Sequence, residues 1–234
     1  YIEGDIILNG ATLTGEWWDH YLKGNLINNS GTFQHYRTLY LNGNNQYIGS
    51  GQFQNIYATG NGTKYLTAHW DLLGSLTIDT SAVVDVSPDN GATVYNITIE
   101  EHWYNNLFNA NRTKTGQFIP RTGTVTFIGN WSNIYTGDSI GNDHVGRPGK
   151  QFYNLVVNNR DNQTWTRLYP ISDPVTPSVK TYANDLRVLN NFTLENGIFY
   201  LYWNKMYVGG SFKNLYGNFQ MNIHYSGYPK LYLE

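Results

Sequence analysis

The 234-residue chain is only 14% charged and has a formal net charge of -2. It lacks the basic excess that is typical of proteins binding nucleic acid or anionic membranes, so we expect neither partner. It has no cysteine, which excludes disulfides, thiolate metal sites and a cysteine nucleophile.

Short runs of alternating apolar and polar residues, bounded by Gly or Asn, occur along the whole chain and predict β-strands. Examples, in chain order, are 5–8, 38–41, 76–78, 82–86, 93–99, 124–128, 153–157, 186–189, 198–203 and 231–233. No window combines helical periodicity with a capping residue, so the sequence predicts an all-β chain. No run of about 18 apolar residues occurs, so no transmembrane segment is predicted.

Two stretches interrupt this pattern. Residues 137–149 are rich in Gly, Asp and Asn, and residues 160–183 contain Pro170, Pro174 and Pro177, which are incompatible with a central strand. We interpret both as long loop excursions from a single all-β repeat domain that spans residues 1–234.

Parts of the chain repeat one another. Residues 21–33 read YLKGNLINNSGTF and residues 207–219 read YVGGSFKNLYGNF. A second alignment matches Phe33 with Phe118 and Phe53 with Phe152. Degenerate repeats with variable spacing are typical of stacked architectures, in which each unit buries its apolar face against the next. We therefore expect the matched phenylalanines to occupy equivalent buried positions.

The strings GTVTFIGN (123–130) and QFYNLVVNN (151–159) resemble repeats of adhesin-like β-solenoid surface proteins from bacteria and archaea. The segment 184–214 carries the same kind of unit. The resemblance implies a β-solenoid fold, with a β-sandwich as the alternative. It also implies an extracellular or cell-surface location and a role as an adhesin, filament component or envelope protein without catalytic residues.

The leading functional hypothesis is a non-enzymatic structural protein that assembles with itself into a filament, tube, sheath or surface layer. The chain begins and ends in the middle of a repeat, which leaves strand edges that another copy can pair with. The candidate self-assembly residues are Tyr1, Ile2, Ile6, Ile7, Leu8, Trp17, Trp18, Leu231, Tyr232 and Leu233.

Two other hypotheses stay open. An adhesin or lectin-like module would use exposed tryptophans to stack against a cell-surface or extracellular polysaccharide. A β-helix enzyme that degrades polysaccharide is the least favoured, because charge is sparse. The acidic pair Glu100 and Glu101 precedes His102, but adjacent residues of a strand point to opposite faces. We therefore expect no joint catalytic role for the two carboxylates.

Asn-x-Ser/Thr sequons are spread along the chain and predict glycosylation. They lie at Asn28, Asn61, Asn96, Asn111, Asn130, Asn162 and Asn191. Asn130 and Asn162 are the preferred sites because both adjoin the predicted loops.

No cofactor is expected. A weak Ca²⁺ site is conceivable at Asp138, Asn142 and Asp143, whose hard oxygen atoms suit that ion, although the segment lacks the ordered spacing of a calcium loop. Asp85, Asp89 and Asn90 offer a similar set, with turn capping as the alternative role.

Overall fold

The structure is a computed structural model that describes residues 1–15, 17–79, 81–105, 116–136, 151–168, 185–202, 204–221 and 229–234. Within these ranges the chain forms 26 β-strands and no helix, which confirms the all-β prediction. Over the same ranges, nothing helical is present that could cross a lipid bilayer.

The strands are short because turn-forming Gly and Asn residues follow each β-branched or aromatic run. Their bounds are β1 (Ile6–Leu8), β2 (Thr12–Gly15), β3 (His20–Leu22), β4 (Leu26–Asn28), β5 (Thr32–Leu41), β6 (Gln46–Ile48), β7 (Gly51–Ala58), β8 (Gly62–Leu66), β9 (Trp70–Leu72), β10 (Leu76–Ile78), β11 (Ala82–Asp85), β12 (Ile97–Ile99), β13 (Trp103–Asn105), β14 (Gln117–Ile119), β15 (Thr124–Phe127), β16 (Trp131–Tyr135), β17 (Gln151–Phe152), β18 (Asn154–Asn158), β19 (Trp165–Leu168), β20 (Leu186–Val188), β21 (Phe192–Asn196), β22 (Ile198–Tyr200), β23 (Lys205–Val208), β24 (Phe212–Asn214), β25 (Asn218–Gln220) and β26 (Lys230–Leu233).

The strands stack in three rows, and every strand pairing between described residues is parallel. Row one contains β2, the first half of β5 and of β7, then β9, β12, β15, β18, β21 and β24. Row two contains β3, the second half of β5 and of β7, then β10, β13, β16, β19, β22 and β25. Row three contains β1, β4, β6, β8, β11 and β14, followed by β17, β20, β23 and β26.

The chain visits the three rows in a fixed order, so one passage through all of them is here called a circuit. Strands β5 and β7 run through the corner between rows one and two, which joins those rows into one 16-stranded sheet. Row three forms a six-stranded and a four-stranded sheet. The rings of Phe118 in β14 and Phe152 in β17 lie 5.9 Å apart and connect the two. The arrangement is consistent with a solenoid-like all-β fold. It differs from a sandwich, whose sheets are antiparallel.

Alternate side chains of each strand point inward and form one apolar cluster that follows the stack from Leu8 to Val208. Trp70 and Trp103 are its largest members and are fully buried. Burial of this apolar surface is the main source of stability, since it contributes about 25 cal/mol per Å² removed from water.

Asn and Asp side chains at the corners connect one circuit to the next. The Asp5 carboxylate accepts the main-chain N–H of Asn25 at 2.7 Å, and the Asn25 amide oxygen accepts that of Tyr47 at 2.8 Å. Asn55 bonds to Ser75 in the same way at 2.8 Å. These bonds satisfy main-chain donors that the rows leave unpaired at each bend. They account for much of the Asn content of the chain.

The internal repeats match strands of different rows. Phe33 and Phe53 lie in row one, whereas Phe118 and Phe152 lie in row three. All four are buried, and the ring pairs Phe33–Phe53 and Phe118–Phe152 have similar centroid separations, 5.7 and 5.9 Å. The prediction of buried positions is therefore confirmed, and that of a shared position along the stack is wrong.

The repeating unit is therefore one strand with its corner, and it is shorter than a circuit. The Asn28 side chain accepts the N–H of Gly31 at 2.7 Å, after a strand of row three. The Asn214 side chain accepts the N–H of Gly217 at 3.1 Å, after a strand of row one. The same corner therefore serves different rows.

Two predicted boundaries need correction. The strand predicted at 93–99 begins only at Ile97, because residues 87–93 form a turn held by the side chains of Ser87 and Asp89. The excursion predicted at 160–183 contains strand β19 (Trp165–Leu168), so it is not a continuous loop. The excursion at 137–149 lies outside the described residues.

Candidate functional site

A surface cleft of about 360 Å³ lies at the corner between rows one and two. Four successive circuits contribute to its wall, so the cleft runs along the stack. Its lining residues are Leu73, Glu100, Glu101, His102, Asn130, Trp131 and Arg160. Small-molecule sites commonly have volumes of about 300–1,000 Å³, so the cleft is large enough to hold a ligand.

Glu100 and Glu101 both line this cleft. The two residues follow β12 in a bend and are not part of a strand. Their main-chain N–H groups donate to Leu72 and Gly74 of the preceding circuit, at 3.0 and 3.1 Å. The alternation of faces along a strand therefore does not govern these two residues.

The acidic pair is only partly neutralised. Arg160 forms an ion pair with Glu100 at 2.7 Å. Glu101 makes no ion pair with any residue whose position is described, and its carboxylate accepts a hydrogen bond from the Ser75 hydroxyl at 3.3 Å. With a neutral histidine beside them, Glu100, Glu101 and Arg160 give the lining of the cleft a net charge of minus one.

That imidazole belongs to His102, and burial lowers its pKa below the ordinary value of 6.5. The Arg167 cation lowers the pKa further, whereas Glu101 raises it. The Nδ1 atom of His102 accepts the main-chain N–H of Asn133 at 3.1 Å, so the neutral ring carries its proton on Nε2. The ring is thus an uncharged part of the wall.

Trp131 is the largest apolar residue that lines the cleft. Its side chain is 65% exposed at the start of β16, although it lies in register with Trp165 of the next circuit. The guanidinium of Arg167 lies 4.2 Å from the centre of the Trp165 ring. This cation–π contact fixes the neighbouring aromatic ring and leaves Trp131 as the solvent-facing one.

The other predicted tryptophans divide into two groups. Trp17 and Trp18 are 74% and 78% exposed and lie in the bend between β2 and β3, so both project into solvent. Trp70 and Trp103 belong to the core, and Trp203 lies outside the described residues.

Sequence reasoning missed that exposed aromatic residues follow one corner. Tyr36 of β5 and Tyr216 are exposed at the corner between rows one and two, where Trp17, Trp18 and Trp131 also lie. No local motif marks this corner, because it is defined by which rows a bend connects. The missing information was the number of residues between one bend and the equivalent bend of the next circuit.

The predicted self-assembly residues lie at the two ends of the stack. Among the described strands, β1 and β2 at one end and β24, β25 and β26 at the other pair on one side only. The outer edge of β3 is bridged by Ile2, whose N–H donates to Tyr21 at 2.8 Å. Tyr1, Ile7, Tyr232 and Leu233 are exposed there, and Ile2, Ile6 and Leu231 are partly exposed. Leu8 is the exception, because its side chain points inward and is buried in the core.

The sequon asparagines differ in how free their amides are. Asn61, Asn130 and Asn162 are exposed. Asn28 uses both amide atoms, since it donates to Ser50 at 2.9 Å and accepts from Gly31. Asn96 and Asn191 are bonded to the next circuit through their amide oxygens, at 2.8 Å to Thr124 and 3.0 Å to Ser211. Asn111 lies outside the described residues.

The candidate calcium ligands Asp138, Asn142 and Asp143 also lie outside the described residues. Across the described ranges, no three His, Asp or Glu side chains come together as metal ligands. Asp85 is bound by Arg121 at 2.7 Å. Asp89 accepts hydrogen bonds from Ser87 and Thr93, which lower its pKa to about 2. These carboxylates therefore act as corner and turn caps.

Comparison with known protein families, curated proteins and solved structures finds no match to this chain.

Proposed function

We propose that this chain is a non-enzymatic, extracellular structural protein with a β-solenoid fold, and that copies of it join end to end into a filament, tube, sheath or surface layer. The observation that carries the proposal is the pair of open ends. At one end, β1 and β2 leave one edge unpaired and Ile2 bridges the outer edge of β3. At the other end, β24, β25 and β26 leave one edge unpaired, and unpaired edges are templates for further strand pairing.

A second copy fits these ends because of strand direction. Every row is parallel, so a strand that continues the stack keeps its direction. One copy presents β2, Ile2 and β1 at its first end, in rows one, two and three, and all three run in the direction of the last circuit of another copy. The contact joins two different surfaces, and a contact of that kind repeats into a polymer.

The apolar side chains support the same conclusion. Phe212, Phe219 and Leu231 point toward the core, but they are only partly buried because no described circuit lies beyond them. Tyr1 is 84% exposed and stacks on Tyr21 with a centroid separation of 4.7 Å. End-to-end contact would cover these surfaces and remove apolar area from water.

An extracellular, cell-surface location is proposed on separate grounds. The chain resembles repeats of surface proteins, and it carries sequons whose asparagines are exposed. The fold needs no disulfide, because a stacked core of this length buries large apolar side chains throughout. Hence the lack of cysteine is compatible with secretion.

Proline at Ile7 tests the assembly. Ile6 donates to Asn25 at 2.8 Å and the carbonyl of Leu8 accepts from Asn29 at 3.0 Å, so both neighbours of Ile7 face β4. The N–H of Ile7 therefore points to the open edge. Proline removes that donor and leaves the pairing with β4 intact. Threonine at the same position keeps the N–H and is the matched control.

Sedimentation velocity over a range of concentrations, with negative-stain microscopy, measures the outcome. We expect polymers of the unchanged protein and of Ile7→Thr, and folded monomers of Ile7→Pro. A strictly monomeric unchanged protein would overturn the proposal, as would an Ile7→Pro variant that polymerises normally. Removing residues 1–10 is a weaker test, because it exposes β4 as a new unpaired edge.

A further inference from the structure

We infer that the cleft at the corner of rows one and two binds a pyranose unit without negative charge, within an extracellular polysaccharide. This inference is independent of the end-to-end assembly. It depends on three properties of the cleft, which are its exposed aromatic ring, its hydrogen-bonding groups and its net charge.

The aromatic ring supplies the apolar contact. Trp131 presents a flat indole at 65% exposure, and the C–H face of a pyranose is flat and weakly polar. An indole in this position buries large area at low conformational cost. Its neighbour Trp165 is held beneath Arg167, so the wall next to Trp131 is already ordered.

The polar groups match sugar hydroxyls. The Glu100 carboxylate and the Arg160 guanidinium are joined at 2.7 Å, so an acceptor and a donor are held side by side. Glu101 adds a second carboxylate whose hydroxyl partner, Ser75, is a weak competitor at 3.3 Å. A hydroxyl both donates and accepts, so it can bond to each of these groups.

Charge selects among sugars. Two carboxylates and one guanidinium line the cleft, and the Arg167 cation lies outside this lining, held against Trp165 and Asn133. The excess negative charge of the lining should repel uronic acids and sulfated sugars. Neutral sugars and amino sugars should bind without this repulsion. The wall also spans four circuits, which is about 14 Å at about 4.8 Å per step. An extended chain is therefore a better ligand than a single ring.

Isothermal titration calorimetry on the monomeric Ile7→Pro variant tests the site apart from the assembly. The probes are cellohexaose, a chitosan hexamer and a galacturonate hexamer. We expect measurable binding of at least one of the first two probes, and weaker or no binding of the galacturonate. Failure of both uncharged and amino probes, or tighter binding of the galacturonate, would overturn the inference.

Substitutions locate the binding. Trp131→Ala should raise the dissociation constant of the probe by about tenfold or more, since aromatic anchors account for much of the binding free energy. Trp18→Ala removes an equally exposed tryptophan outside the cleft and should leave the affinity unchanged. Glu101→Gln should reduce the discrimination against galacturonate. Binding that depends on Trp18 and not on Trp131 would place the ligand elsewhere and refute the site.

Discussion

Gly129 lies directly against the main-chain oxygen of Glu100, and there is no space between them for a Cβ atom. The contact brings two successive circuits together beside the cleft. Gly129→Ala should therefore push the corner apart and lower the free energy of unfolding by about 1–3 kcal/mol, the usual cost of overpacking. Urea denaturation measures the change.

Gly4 is the matched control, because a Cβ atom there meets no other atom within 4 Å. Gly4→Ala should change the free energy of unfolding by less than about 0.5 kcal/mol. Equal stability of the two variants would show that the corner yields at no cost, and that Gly129 is not required for the close approach.

The buried phenylalanines should contribute similarly on different rows. Phe53→Ala and Phe152→Ala should each lower the free energy of unfolding by about 3–5 kcal/mol, because both remove a fully buried ring and leave a cavity. Tyr36→Ala, at an exposed site, is the control and should cost less than about 0.5 kcal/mol. A loss below about 1 kcal/mol at either phenylalanine would contradict the shared role.

Lys64 should make stability depend on alkaline pH. Its side chain is fully buried, its ammonium donates to the carbonyl of Gly43, and burial lowers its pKa to about 8. The unfolded chain holds this proton more tightly. The stability associated with the neutral amine is therefore complete above the ordinary pKa of 10.5 and is lost as the pH falls through 8.

Between pH 7 and about pH 9.5, the native protein should gain about 2 kcal/mol of stability relative to Lys64→Met. Urea denaturation of both proteins at the two pH values gives this difference. Lys23→Met removes a solvent-exposed lysine and should keep the native pH dependence. A constant gap between the native protein and Lys64→Met would show that the buried amine keeps its ordinary pKa.

Glycans should be confined to sequons with free, exposed amides. We expect occupancy at Asn61, Asn162 or both. We expect none at Asn28, where a glycan would replace the hydrogen bond to Ser50, and none at Asn130, where it would fill the cleft beside Trp131. Peptide mapping by mass spectrometry of protein secreted from its natural host or a glycosylating host measures this. A glycopeptide at Asn28 in folded protein would contradict the prediction.

The sequence predicted the strands well, because alternation along a strand is a local property. The strands β10 and β11, for example, lie where their short apolar runs indicate. The row of each strand was not predictable from local pattern. Phe33 and Phe118 sit in units with the same strand and corner residues, yet they belong to rows one and three.

The cleft was hidden for a related reason. Glu100 and Glu101 were assigned diverging directions by a rule that holds only within a strand, and they occupy a bend. Trp131 and Arg160 are distant from them in sequence and approach only because consecutive circuits stack. Side-chain pairs that form across circuits depend on the length of every intervening corner, which the residues of one segment do not encode.

The connections between the rows also differ in length. Among the described strands, the two longest separations along the chain are 136–150 and 169–185, and both lie between a strand of row two and a strand of row three. Register is set by the strands on each side, and the entropy of closing a connection grows only slowly with its length. Insertions can therefore accumulate in the connection between rows two and three without changing the register of the strands on either side. Foreign peptides could be grafted into the same connection for multivalent display.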